Sequence, residues 1–155
     1  DTSYEEIMNL EQPSNFKIVS EEVLKTEFPD FEKISINKSK PICIYNYYNL
    51  DPLWRADLDA TRILLIEPSI FNKYPIGKKA MNFMIELSKN IPSVKVFVGE
   101  FDELEIGGLE VYFKEHPLNY NYKGTMDSRD WISSVKGYYP SFFKFWNKLK
   151  KEKSF

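Results

Sequence analysis

The fold is decided by the stretch Thr61–Gly99, which has the sequence TRILLIEPSIFNKYPIGKKAMNFMIELSKNIPSVKVFVG. It opens with the apolar run Arg62–Ile66, as expected of a parallel strand that is buried on both faces. Apolar residues then recur at helical spacing from about residue 76 to residue 90, and Val94–Val98 is a β-branched run that stops at Gly99. These pieces predict a right-handed strand–helix–strand crossover. The predicted inward face of the helix contains Ile76, Ala80, Phe83, Met84, Leu87 and Ile91.

Further elements lie on both sides of this crossover. Ile42–Tyr45 is a predicted strand, and Leu109–Phe113 is another, after a two-glycine turn. This order is typical of an α/β, Rossmann-like domain of three layers with a mostly parallel sheet of four to five strands. We assign residues 41–155 to this domain. Residues 1–40 are predicted to be a linker, or the tail of a preceding domain, with a short helix between Ser20 and Phe28.

Three other segments carry weaker signals. Asp51 is a predicted N-cap of a short helix, and residues 114–136 are predicted to form a long loop with at most one helical turn, near residue 127. A last helix follows Pro140. The face that it packs on the sheet is predicted to contain Phe142, Phe145, Trp146 and Leu149. Phe143 lies off that stripe and predicts a surface for a partner.

The composition limits the expected partners. The 155 residues carry 21 basic and 23 acidic side chains, a net charge of −2, so we expect no whole-domain attraction to nucleic acid and no membrane partner. Any such contact must be local. The C-terminal lysines are either a solvated last helical turn or a local contact to a phosphate backbone: Lys144, Lys148, Lys150, Lys151 and Lys153. The single cysteine, Cys43, predicts a buried thiol in a reducing, cytoplasmic compartment.

The carboxyl ends of parallel strands are the usual ligand site of this fold class. At those ends the sequence mixes aromatic, acidic and basic groups, which suit a planar polar ligand. The predicted cofactor-binding set is Tyr45, Asn46, Tyr47, Glu67, Gly99, Glu100, Lys114 and His116. His116 is either a general acid or base or an ordinary loop histidine. No catalytic or metal-binding residue is assigned, and the chain lacks the glycine-rich phosphate-binding motifs.

Five motifs resemble the C-terminal segment of bacterial photolyase-like flavoproteins, which belong to the DNA photolyase and cryptochrome family. They are Tyr45–Pro52, Leu65–Ser69, Val98–Phe101, Phe113–Asn119 and Gly137–Phe143. The order of the predicted elements also resembles the α/β antenna domain of that family.

This resemblance implies an accessory, antenna-like domain without catalysis of its own. In such a protein the domain packs on an FAD-binding helical domain of the same parent chain, where DNA repair or light sensing takes place, and it contacts DNA only through that parent. A light-harvesting chromophore, a folate or a deazaflavin, is an optional ligand. Two alternatives stay open. One is half of a nucleotide-sugar transferase with Lys114–Pro117 facing a diphosphate, and the other is an interaction domain with an empty crevice.

Overall fold

The structure is a computed structural model that describes residues 24–30, 34–130 and 133–152. Its centre is a sheet of five strands: β1 (Ile42–Tyr45), β2 (Thr61–Ile66), β3 (Lys95–Val98), β4 (Val111–Lys114) and β5 (Thr125–Asp127). The strands lie in the order β3-β2-β1-β4-β5, and all four pairings are parallel. This sheet confirms the predicted Rossmann-like α/β fold. It has five strands, where four to five were predicted.

In the part of the chain that the structure describes, three helices accompany the sheet: α1 (Pro68–Lys73), α2 (Lys78–Ser88) and α3 (Phe142–Glu152). The predicted strand–helix–strand order is confirmed, because β2, α2 and β3 follow one another and Ile66 pairs with Val98 in parallel register. The single turn expected before the two glycines is a 3₁₀ helix at Phe101–Glu103, and a second one lies at Pro117–Asn119. Helix α1 was not predicted, since six residues are too few to show a helical period.

The sheet separates two hydrophobic clusters because successive side chains of a strand point to opposite faces. One cluster contains Ile42, Ile44, Ile63, Leu65, Phe101, Leu104, Val111, Phe113 and Tyr122. The other contains Cys43, Tyr45, Trp54, Leu64, Ile66, Phe71, Met81, Met84 and Ile91. Cys43 is buried as predicted, and burial raises the pKa of its thiol. It therefore stays protonated and packs as a small apolar side chain.

The inner face of α2 differs from the predicted one. Met84 is buried as expected, but Phe83 is 68% exposed and Leu87 is also exposed. The buried positions are Met81, Met84 and Ser88, which share a face at i, i+3 and i+7. Ser88 fits this face because its hydroxyl donates to the carbonyl of Ile85 at 2.7 Å. A small polar residue thus takes the place that the apolar pattern gave to larger side chains.

Strand β5 replaces the long loop predicted for residues 114–136, so that prediction is wrong in this part. It is an edge strand, paired with β4 alone, and it shows no apolar run. Asp127, where a helical turn was expected, ends the strand. Its carboxylate accepts from Arg55 Nε at 2.6 Å, from Arg55 Nη2 at 2.9 Å and from Trp54 Nε1 at 2.9 Å. Contacts to a segment more than 70 residues away therefore fix the edge.

Of two predicted short helices, one lies partly outside the described residues and the other does not form as expected. In residues 24–30 the chain is not helical, and the proposed start at Ser20 lies outside the described residues. After Asp51 the chain makes successive turns rather than a regular helix, although the Asp51 carboxylate accepts from the backbone N–H of Leu53 at 2.8 Å, as a cap would. Arg55 interrupts any helix there because its φ is +48°.

Helix α3 forms where it was predicted, but its faces differ. Leu149 is buried as predicted, whereas Phe142 is 66% exposed, so its predicted place in the core is wrong. Phe143 is 72% exposed, in agreement with its position off the stripe. Within the described residues, neither hydrophobic cluster of the sheet includes a side chain of α3. Part of the aromatic stripe therefore lies in solvent.

Candidate functional site

The strand order defines a switch point at the carboxyl edge of the sheet. From β1 the chain proceeds outward to β2 and β3, and then returns to add β4 and β5 on the other side of β1. The connections that leave β1 and β4 therefore diverge, and in open α/β sheets a ligand crevice forms at this place. The loop after β1 begins at Asn46, and the loop after β4 contains Glu115 and His116.

Side chains of the protein itself close this switch point. The rings of Tyr48 and His116 stack with their centroids 3.7 Å apart and an angle of 13° between the planes. Nδ1 of His116 accepts from the backbone N–H of Leu118 at 3.2 Å. Partial burial, together with the positive charge of Arg129, lowers the pKa of His116, so the neutral ring that can accept this bond is favoured. These contacts indicate a positioned loop histidine rather than a general base facing an open site.

A second layer of hydrogen bonds lies beside this stack. Nδ2 of the buried Asn46 donates to Oδ1 of Asn119 at 2.9 Å, and Nδ2 of Asn119 donates to the carbonyl of Lys114 at 2.7 Å. The two amides tie the loop after β1 to the loop after β4. Of the predicted set, Asn46 and His116 are thus brought to the same place, where they hold the crevice shut.

Glu67, at the end of β2, is a buried carboxylate held by neutral donors. It is 7% exposed, and it accepts from the hydroxyl of Tyr122 and from the backbone N–H of Phe101, the latter at 3.3 Å. Burial raises the pKa of Glu67, and the hydrogen bonds from Tyr122 and Phe101 oppose that rise. A buried carboxylate with a shifted pKa makes Glu67 a candidate functional residue at the carboxyl edge of the sheet.

Glu100 and Gly99 connect the ends of β2 and β3. The Glu100 carboxylate accepts from the backbone N–H of Ser69 at 2.8 Å and from its hydroxyl at 2.7 Å. At Gly99 a Cβ atom would lie 2.5 Å from Oε2 of Glu103 and 2.8 Å from the ring of Phe97. Both predicted residues therefore shape the loops at this edge.

Tyr45 lies away from the place where the other predicted residues meet, and Lys114 contributes its backbone carbonyl there while its side chain pairs elsewhere. Tyr45 points into the core, where its hydroxyl donates to the carbonyl of Trp54 at 3.1 Å and accepts from Arg62 Nη1 at 2.7 Å. The ammonium group of Lys114 is 3.8 Å from the carboxylate of Asp130. The alternation of side chains along β1 places Tyr45 on the same face as Cys43, and this signal was available in the sequence.

One open space at this edge is an aromatic groove between the loop after β1 and the segment that begins with α1, and a smaller one of about 150 Å³ lies beside Glu67 and Glu100. The aromatic groove has a volume of about 330 Å³ and is lined by Tyr47, Tyr48, Ile70, Phe71, Tyr74, Pro75 and Ile76. Tyr47 meets Tyr48 and Phe71 edge to face, with centroid distances of 5.2 and 6.3 Å. The rings of Tyr47, Tyr48 and Tyr74 are about half exposed. A narrow cleft continues from the groove toward Asn46 and Glu67.

Of the residues that line the aromatic groove, only Tyr47 was in the predicted site. Phe71 and Tyr74 were missed because they belong to α1 and to its C-terminal end. A search for aromatic residues near strand ends would have found Tyr48, which follows β1 by three positions.

Two classes of feature are absent from the part of the chain that the structure describes. No group of three or more His, Cys, Asp or Glu side chains is arranged to hold a metal ion there. No helix in the described ranges is both long enough and apolar enough to cross a membrane.

Comparison of the chain with protein-family models, with curated proteins and with solved structures finds no match.

Proposed function

We propose that this chain is the accessory α/β domain of a photolyase- or cryptochrome-like flavoprotein, and that its aromatic groove holds a planar light-harvesting chromophore. The domain packs on an FAD-binding helical domain of the parent protein and has no catalysis of its own. The observation that carries the ligand part is the groove, which lies at the carboxyl edge of the sheet, next to the switch point. The motifs described above support the family.

The chemistry of the aromatic groove favours a planar ring as ligand. Three half-exposed tyrosines present ring faces and hydroxyl groups, while Phe71 supplies a buried apolar wall. Aromatic rings prefer offset stacking or edge-to-face contacts, and the rings of the groove already meet one another edge to face. Its volume of about 330 Å³ lies at the small end of ligand pockets, which suits the ring system of a deazaflavin or a pterin better than a dinucleotide.

Exposed apolar side chains on α2 support the docking part of the proposal. Phe83 and Leu87 stand at i and i+4, so they form one stripe on the side of α2 that faces away from the core. An apolar stripe of this kind is typical of a surface that a partner covers.

The buried, protonated thiol of Cys43 supports a reducing, cytoplasmic compartment for the parent protein.

The transferase alternative has less support. The residues expected to face a diphosphate are engaged within the chain: Lys114 lies near Asp130, the Glu115 carboxylate accepts from the backbone N–H of Arg129 at 3.2 Å, and His116 stacks on Tyr48. A pure interaction domain is the second candidate, and the closed switch point favours it over an enzyme.

Equilibrium dialysis of the purified chain against 5-deazariboflavin, and separately against folate, tests the ligand part. We expect one site per chain, and about two- to tenfold weaker binding for Tyr74→Ala, because a stacking contact contributes about 0.5–1.5 kcal/mol. The matched control is Tyr120→Ala, since Tyr120 is exposed and does not line the aromatic groove. No binding by the unmodified chain, or equal binding by all three proteins, would contradict the ligand part.

The family part has a separate test. The purified parent protein should show flavin absorbance, and its absence would refute the assignment to a flavoprotein. That result would leave the dialysis of the isolated chain unaffected, so the two parts fail independently.

A further inference from the structure

Helix α3 has an exposed aromatic face that the proposed function does not use. Its sequence is FFKFWNKLKKE, with four lysines and one glutamate. Phe142 and Phe143 are 66% and 72% exposed, and their ring centroids are 5.8 Å apart. The ring of Phe142 also lies nearly parallel to that of the half-buried Trp146, with 6.0 Å between the centroids. The three rings form one continuous apolar surface, which we call the aromatic face of α3.

The lysines of α3 lie around this surface in a regular way. At about 100° per residue, Lys150 falls between Trp146 and Phe143, and its ammonium group is 5.9 Å from the centroid of the Trp146 ring. On the far side of the helix the other lysines form a polar stripe: Lys144, Lys148 and Lys151. The one acidic residue, Glu152, accepts from the backbone N–H of Ser134 at 2.8 Å. The helix is therefore a local concentration of positive charge in a chain of net charge −2.

We propose that the aromatic face of α3 binds the surface of an anionic lipid bilayer. A helix with exposed aromatic side chains on one side and lysines on the other has the pattern of helices that lie in the membrane interface without crossing it. The aromatic side chains of Phe142 and Phe143 enter the boundary between headgroups and acyl chains, and Lys150, beside the Trp146 ring, reaches the lipid phosphates along its flexible stem. The lysines on the far side add to the general attraction of the helix to an anionic surface. This local contact revises the expectation of no membrane partner, which was drawn from net charge.

The shape of the surface favours a bilayer over a nucleic acid strand. Single-stranded nucleic acids bind in grooves, where successive bases stack on separated aromatic rings. On α3 the rings of Phe142 and Phe143 lie beside each other on a convex helix, and neither carries a hydrogen-bonding group. A bilayer requires only such a convex apolar face with Lys150 beside it and a polar side turned to water. The inference is independent of the proposed chromophore, because the residues of α3 do not line the aromatic groove.

Co-sedimentation with vesicles tests this inference. The purified chain is mixed with vesicles of phosphatidylcholine alone, or with about 30% phosphatidylserine, at near-physiological salt. We expect binding to the anionic vesicles only. Phe142→Ser/Phe143→Ser should weaken it by about tenfold or more, and Lys150→Gln by about fivefold, because a lysine near the surface contributes about 1 kcal/mol.

The control is Leu53→Ser, which removes an exposed apolar side chain from a loop outside α3 and should leave binding unchanged. The melting temperature of each variant verifies that it is folded. The inference is overturned if the unmodified chain stays in the supernatant with anionic vesicles, or if the double Phe variant is folded and binds as well as the unmodified chain. Binding to an oligothymidine strand without binding to vesicles would also overturn it.

Discussion

Replacing Tyr122 by Phe should destabilise the domain, and the loss should depend on pH. The substitution removes the hydroxyl that donates to the buried carboxylate of Glu67. The ring itself can stay in place, since it stacks on Phe101 with 4.4 Å between centroids and meets Phe113 edge to face at 5.4 Å. The variant therefore isolates the hydrogen bond from the packing.

The expected loss of stability follows from the hydrogen bond that the Glu67 carboxylate loses. Within the described residues its other donor is the backbone N–H of Phe101, at 3.3 Å, so removal of the Tyr122 hydroxyl leaves the ionised form of Glu67 with one long hydrogen bond. A hydrogen bond to a charged group contributes about 1.5–3 kcal/mol to the free energy of unfolding. For a domain of this size the melting temperature should then fall by about 3–10 °C at neutral pH.

The sign of the pH dependence comes from the pKa of Glu67. Burial raises this pKa above the ordinary value of 4.5, so the native state binds the proton more tightly than the unfolded state does. The contribution of Glu67 to the free energy of unfolding is therefore fully present below about pH 4.5, and it is lost as the pH rises through the native pKa. The Tyr122 hydroxyl stabilises the ionised form and limits that loss. Its removal should cost most above the native pKa and least in acid.

Urea denaturation at about pH 7 and about pH 4 measures this effect, with Glu67→Gln as the matched background. Gln keeps an acceptor oxygen but has no charge, so Tyr122→Phe should cost only about 0.5–1.5 kcal/mol there, at both pH values. An equal cost in the presence and absence of the Glu67 charge, or a loss that grows in acid, would refute this account of the pair.

Two further predictions concern the edge formed by β5. Gly124→Ala should lower the free energy of unfolding by more than about 1 kcal/mol, because φ is +141° and a Cβ would lie 2.4 Å from the carbonyl oxygen of Val111. The control is Gly77→Ala, where a Cβ would have nothing within 4 Å, and it should change that free energy by no more than about 0.5 kcal/mol in the same thermal melts. Asp127→Asn should cost about 1–2 kcal/mol at neutral pH, because it removes the charge that pairs with Arg55. Since the hydrogen bond from Arg55 lowers the pKa of Asp127 below 3.8, this cost should shrink as the pH falls through the native pKa, and a cost that persists in strong acid would contradict it.

The sequence was sufficient for the elements whose signals are local. The crossover was predicted because an apolar run, a helical period and a β-branched run follow one another within Thr61–Gly99. Strand β5 had no such signal, since two of its three residues are exposed and it pairs along a single edge. The contact of Asp127 with Arg55 joins residues 72 positions apart, and no pattern within a short window can indicate it.

The candidate site was predictable in position but less so in detail. Strand ends correctly placed Asn46, Glu67 and His116 at the carboxyl edge, because parallel strands end at one edge of the sheet. The partners of these residues, Asn119 and Tyr122, come from a loop whose path depends on β5. The aromatic groove was mostly missed because it needs the short helix α1, which has no periodic pattern in the sequence.

The side chain of Tyr48 connects the two parts of the carboxyl edge. It lines the aromatic groove, and it stacks on His116 across the switch point, where the loops after β1 and β4 diverge. A ligand at the switch point would have to displace this stack, and moving His116 would leave the N–H of Leu118 without its acceptor. A ligand in the aromatic groove would leave the stack intact and would gain a tyrosine already positioned by it. The stack of Tyr48 on His116 therefore closes the usual crevice of this fold and also fixes the position of a ring that lines the aromatic groove.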